Sequence, residues 1–114
     1  MIERKHSNKV LSKIVTTESS AYLAGQVADD TTQDVAGQTK QVLAKIDALL
    51  AEAGTDKTKM LSVTIWLANI DDKGEMNSVW FEWVKPEDTP ARACVEARLA
   101  RPDILVEMKV EAAR

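Results

Sequence analysis

The chain has 114 residues, 45% of them hydrophobic, and its 15 basic and 18 acidic side chains leave a net charge of −3. That suffices for one core over residues 1–114 and not for two. It argues against disorder and leaves no basic surplus to grip a phosphate backbone, so nucleic acid is not an expected partner. One cysteine, Cys94, cannot form an internal disulfide, no metal-ligand cluster is present, the charged start Met1-Ile2-Glu3-Arg4-Lys5-His6 is unlike a secretory signal, and no stretch approaches the roughly 20 apolar residues of a membrane helix; a cytoplasmic, metal-free domain away from membranes is expected.

Residues 2–9 are polar and suit a short edge strand. Val10–Thr17 and Ala21–Val27 are rich in β-branched residues and flank Glu18-Ser19-Ser20, which predicts a hairpin, and Gly25 marks a bulge or a point where another group approaches the backbone. Asp29-Asp30-Thr31-Thr32 supplies capping oxygens for a helix. Along that helix Val35, Val42, Leu43, Ile46, Leu49 and Leu50 share one face, Gln38, Lys40, Gln41, Lys45 and Asp47 take the other, and Ala53-Gly54 ends it. Leu61, Val63, Ile65 and Leu67 alternate with Ser62, Thr64 and Trp66, predicting a strand over Met60–Leu67 that pairs in parallel with an earlier one through the helical crossover. Met76, Val79, Trp80, Trp83 and Val84 form the stripe of a short amphipathic helix, stopped by Pro86.

The last third carries two more alternating runs. In Thr89–Leu99 the residues Ala93, Val95, Ala97 and Leu99 read as the core face, with Arg92, Cys94, Glu96 and Arg98 opposite; in Ile104–Ala112 the residues Ile104, Val106, Met108, Val110 and Ala112 read as the core face, with Leu105, Glu107, Lys109 and Glu111 opposite. Ala100-Arg101-Pro102-Asp103 reads as the turn of an antiparallel hairpin, with Glu107 opposite either Glu96 or Cys94; repulsion between carboxylates favours Cys94. Arg92, Cys94 and Glu107 would then share one sheet face. Two helices separated by one strand fall on the same side of a sheet, leaving Ser62, Thr64, Trp66, Cys94 and Leu105 uncovered together with Arg92 and Glu107, which points to an oligomer. Arg92 has two readings at this level, an ion pair with Glu96 or Glu111 or an anchor for a ligand carboxylate. Cys94 has no basic partner and reads as an inert thiol; His6, in the polar arm, reads as solvated.

Pro90-Ala91-Arg92-Ala93-Cys94-Val95-Glu96, Val106-Glu107 and Glu111-Ala112 resemble the C-terminal signature of the RidA/YjgF family of enamine and imine deaminases. Gly25-Gln26-Val27, Gln41-Val42-Leu43 through Ala53-Gly54, Thr64-Ile65-Trp66-Leu67 and Met76-Asn77-Ser78-Val79-Trp80 extend the resemblance over nearly the whole chain. The resemblance implies an α+β, two-layer domain, a mixed sheet with two helices on one face, assembled as a chorismate-mutase-like homotrimer with clefts between subunits. It implies a hydrolase that, without a cofactor, converts short 2-imino or enamine acids such as 2-iminopropanoate and 2-iminobutanoate to 2-keto acids and ammonia. Arg92 would bind the substrate carboxylate, Glu107 would position or deprotonate water, and backbone groups of Cys94 and Gly25 would hold the nitrogen and the carboxylate. In the N-terminal arm Lys9-Val10-Leu11-Ser12-Lys13 lacks the Gly-Pro-Tyr segment of established deaminases, so the resemblance is to a divergent branch. A non-catalytic, carboxylate-binding regulatory module on the same scaffold is the alternative, and an endoribonuclease or translation inhibitor a remote one.

Overall fold

The computed structural model spans residues 1–114. Its elements run β1 (Glu3–Ser7), β2 (Ser12–Thr16), β3 (Ser20–Leu23), α1 (Val35–Glu52), β4 (Met60–Leu67), α2 (Lys73–Trp83), β5 (Ala91–Glu96) and β6 (Val106–Ala113). All strands join one sheet in the order β1-β2-β3-β6-β4-β5, mixed because β4 and β5 run parallel while every other neighbouring pair is antiparallel. The two helices pack on one face, giving the two-layer α+β architecture. No helix is long and apolar enough to cross a membrane.

Local chemistry explains most boundaries. The α1 stripe is buried as its periodicity requires, and Gly54, at φ +79°, supplies the left-handed turn that ends the helix. The N-terminal cap is Asp34, whose carboxylate accepts from the Gly37 N–H at 2.9 Å, and not the expected 29–32 segment: Asp29 binds Lys45 and Asp30 accepts from Thr32 instead. Gln38, expected on the solvated face, is fully buried. Its amide nitrogen donates to the carbonyls of Thr31, Gln33 and Asp103, and its oxygen accepts from Leu105 N–H at 2.9 Å, so it ties the loop before β6 to the helix. Along β4 a bulge between Met60 and Ser62 buries Met60 and leaves Leu61 55% exposed, which displaces Leu61 from the expected core face.

Three topological expectations are corrected. Strand β4 pairs with no earlier strand, because β6 lies between β3 and β4. Strands β5 and β6 do not form a hairpin either: residues 97–105 carry the chain across β4, and Glu107 stands opposite Trp66 rather than Cys94 or Glu96. The parallel register Val63↔Arg92, Ile65↔Cys94, Leu67↔Glu96 fixes the faces of β5, since paired residues share a side of the sheet. Val63, Ile65 and Leu67 are buried under the helices, so Arg92 and Cys94 point into the helical layer while Ala93 and Val95 face outward, the reverse of the expected assignment. Glu107, alternating with buried Val106 and Met108, lies on the uncovered face.

Candidate active site

Arg92 leaves the edge strand β5 and enters the layer of α2. Asn77 and Trp80, three residues apart on that helix and therefore on one side of it, meet its guanidinium. Arg92 Nη1 donates to Asn77 Oδ1 at 2.8 Å, and Cζ stands 5.1 Å from the centre of the Trp80 ring, within cation–π range. Trp80 is itself 3% exposed, so the plane on which the guanidinium rests is set by the core. The ion pairs of the chain are His6–Glu52, Lys45–Asp29 and Arg101–Asp103. Arg92 is in none of them, so the ion-pair reading with Glu96 or Glu111 does not hold. Glu96 accepts from Ile70 N–H at 3.1 Å instead. A half-buried cation, hydrogen-bonded to a neutral amide and without an anion, keeps an unused fork of donors for a planar carboxylate.

Gly25 and Glu107 come together on the other side of the sheet. Past β3 the chain bridges back to β6 through two hydrogen bonds, Gln26 N–H to Met108 O at 2.8 Å and Met108 N–H to Gln26 O at 3.1 Å. This lays Gly25 against the Glu107 side chain so closely that a Cβ there would overlap Oε2 and stand 3.1 Å from Cδ. The absent side chain makes the room in which the carboxylate sits. Gly25 has no positive φ, so this close approach, rather than backbone freedom, is what calls for glycine.

The four residues singled out in the sequence thus form two half-sites. Arg92 and Cys94 belong to the helical layer at the sheet edge, and Gly25 with Glu107 to the open face, where Glu107 pairs with Trp66 three rows along β4 from Val63, the partner of Arg92. Within one chain they do not converge, contrary to the expectation of a shared face, and none of the principal concavities is lined by any of them; the largest, about 540 Å³, lies over residues 96–102. Cys94 is half-buried and packs against the core, and Leu105 also packs there rather than lying uncovered. His6 is not simply solvated: its Nε2 lies 2.6 Å from Glu52 Oε2 at the C-terminal end of α1. The contribution of Asn77 was not foreseen, because nothing in its own segment says which strand α2 will cover.

A mixed sheet backed by two helices, with an unneutralised arginine at its edge, defines a class that the comparisons make specific. The family model described as "Endoribonuclease L-PSP" matches residues 1–114. A RutC family protein of Haemophilus ducreyi is 45% identical over 113 residues, covering 99% of this chain and 97% of the relative. Among solved structures, NMB1025 of Neisseria meningitidis, a member of the YjgF protein family, superposes with a TM-score of 0.96 at 43% identity, covering 100% of this chain and 95% of that one. YyfA of Yersinia pestis, from the conserved Rid protein family, gives 0.85 at 32% identity, covering 95% and 90%. The chain belongs to this YjgF/RutC/Rid family.

Proposed function

We propose that the protein is a hydrolytic deaminase of short 2-imino and enamine acids, working in clefts between the copies of a homotrimer. The observation that carries the reading is the state of Arg92: half-buried, oriented by Asn77 and Trp80, and paired with no carboxylate of its own chain. A cation left uncompensated in that way is suited to an anionic ligand. Because Glu107 and Gly25 lie on the opposite face, the second half of the site comes from a neighbouring copy. Tyr22, Trp66 and Val95 on the uncovered face, two of them 40% and 46% exposed, offer that neighbour an apolar surface.

In this arrangement Arg92 fixes the substrate carboxylate, with the Gly25 backbone supporting it and the Cys94 carbonyl accepting from the substrate nitrogen. Glu107 takes a proton from water as the oxygen adds to the imine carbon and returns it to the nitrogen, giving the neutral carbinolamine. As the C–N bond breaks and the carbonyl forms, the hydroxyl proton passes by way of the same carboxylate to the nitrogen, and ammonia and the 2-keto acid leave with Glu107 ionised again. The step requires orientation and a proton relay through one carboxylate, and general acid–base help of this kind contributes about 10² to 10⁴ in rate. RNA cleavage, the activity in the family model's description, has less to draw on here: the net charge is −3, and the lone histidine, His6, is held by Glu52 near the sheet edge remote from β5.

The test generates 2-iminopropanoate in place and follows its decay. Wild type should accelerate decay, Arg92→Ala should abolish the effect, Arg92→Lys should restore only part of it because a point charge lacks the fork, and Glu107→Ala should cost about 10² or more. Co-expressed Arg92→Ala and Glu107→Ala chains, each impaired about a hundredfold or more alone, should regain about a quarter of wild-type activity, since about one site in four would draw both intact groups from different copies. Ligand binding by wild type without turnover would favour the regulatory module, and full activity of Arg92→Ala would remove the anchor.

A further inference from the structure

The surroundings of Arg92 are selective in charge. Its one protein acceptor is an amide oxygen, and an aspartate at the same position would occupy nearly the same volume. On α2 the neighbours that share a side with Asn77 are Lys73, Gly74, Trp80 and Phe81, none of them acidic. The acid on the same strand and the same side, Glu96, is engaged by Ile70 N–H. A carboxylate at position 77 would pair with Arg92 internally and compete with any incoming anion for the same donors. The amide takes one N–H and leaves the charge intact.

We propose that Asn77 is a positioning residue that orients Arg92 through an uncharged acceptor, so that the guanidinium is aimed but not neutralised. Trp80, buried beneath the cation, completes the device by closing one face of the guanidinium, so that a ligand approaches it edge-on. The inference rests on the reading of Arg92 as a carboxylate anchor and adds to it a reason for an asparagine at this place in the helix.

The experiment compares Asn77→Asp and Asn77→Ser with wild type in turnover of 2-iminopropanoate, binding of pyruvate as a stable 2-oxo carboxylate probe, and thermal midpoint. Asn77→Asp should raise KM and weaken pyruvate binding tenfold or more while kcat changes less, and its midpoint should hold or rise, because the new carboxylate pairs with Arg92. Asn77→Ser, with a shorter neutral acceptor, should raise KM only a few-fold. A merely structural role would move affinity and stability down together in Asn77→Asp, and that result overturns the inference, as does an unchanged KM. If Asn77→Asp does not fold, Asn77→Ser decides: a higher KM at preserved kcat supports the role, and an unchanged KM overturns it. Wild type that neither turns over the imine nor binds pyruvate would overturn the anchor reading and this inference together, whereas a functional wild type with an indifferent Asn77→Asp overturns this inference alone.

Discussion

Adding a single methyl group at Gly25 separates the two things that glycine could be doing. A Cβ there would overlap Glu107 Oε2 and lie 3.1 Å from Cδ and 3.4 Å from Cγ, so the conflict is with the end of a flexible side chain and not with backbone. Glu107 can yield by turning, at a cost of about 0.5–1.5 kcal/mol for a side chain off its preferred rotamer. Restricting the unfolded chain returns roughly 0.4–1 kcal/mol. Gly25→Ala should therefore fold with a thermal midpoint within about 5 °C of wild type. Catalysis has no such compensation, because a carboxylate displaced by about 1 Å loses its line to the attacking water and costs on the order of 100-fold, close to 2.7 kcal/mol of transition-state stabilisation. Imine decay measured on Gly25→Ala, Glu107→Ala and the double variant should show all three similarly impaired, since the two residues act as one unit. Activity of Gly25→Ala within threefold of wild type, or full additivity in the double variant, would refute the reasoning.

Other perturbations follow from contacts already described. Gln38→Leu removes four part-buried hydrogen bonds and strands the carbonyls and the Leu105 N–H that they satisfied, so urea unfolding should show a loss of about 2–4 kcal/mol at unchanged m-value. Glu96→Gln keeps an acceptor for Ile70 N–H and touches neither half-site; imine turnover should stay within twofold and stability within about 0.5 kcal/mol. The Asp29 carboxyl is held below the ordinary carboxylate range first by its hydrogen bond from Lys45 and then by that ammonium's charge. Its folded-state pKa is depressed, so its contribution is present above an unfolded value near about 3.9 and is lost as pH falls through the folded value. Thermal midpoints recorded from pH 7 down to pH 3 should fall less steeply at the acid end for Asp29→Asn than for wild type.

Much of the architecture was legible because local periodicity and burial agree over β4, α1 and α2 apart from Leu61 and Gln38, and one face of each element meets the core. Strand order was not legible: a period of two is compatible with an antiparallel hairpin between β5 and β6 and equally with the parallel pairing of β5 with β4 that the chain adopts. The face of β5 was misread for a related reason. Ala93 and Val95 look like core residues beside Arg92 and Cys94, yet the edge position lets small apolar side chains face outward while the arginine stacks on Trp80. Local rules fail here because tertiary packing gives a polar side chain a place in the helical layer that alternation along its own strand does not encode. Gln38 escaped because a buried amide with all its hydrogen bonds satisfied carries the same letter as a solvated one.

The position of β6 has a consequence for how the chain reaches its native state. The last of these elements to leave the ribosome lies between β3 and β4. Until it arrives, both strands present open edges and the core lacks Val106, Met108, Val110 and Ala112. Nascent chains are thus held back from closure until β6 has emerged, with pairing-competent strands exposed meanwhile. Products truncated before β6 should populate the aggregate fraction rather than a smaller folded core.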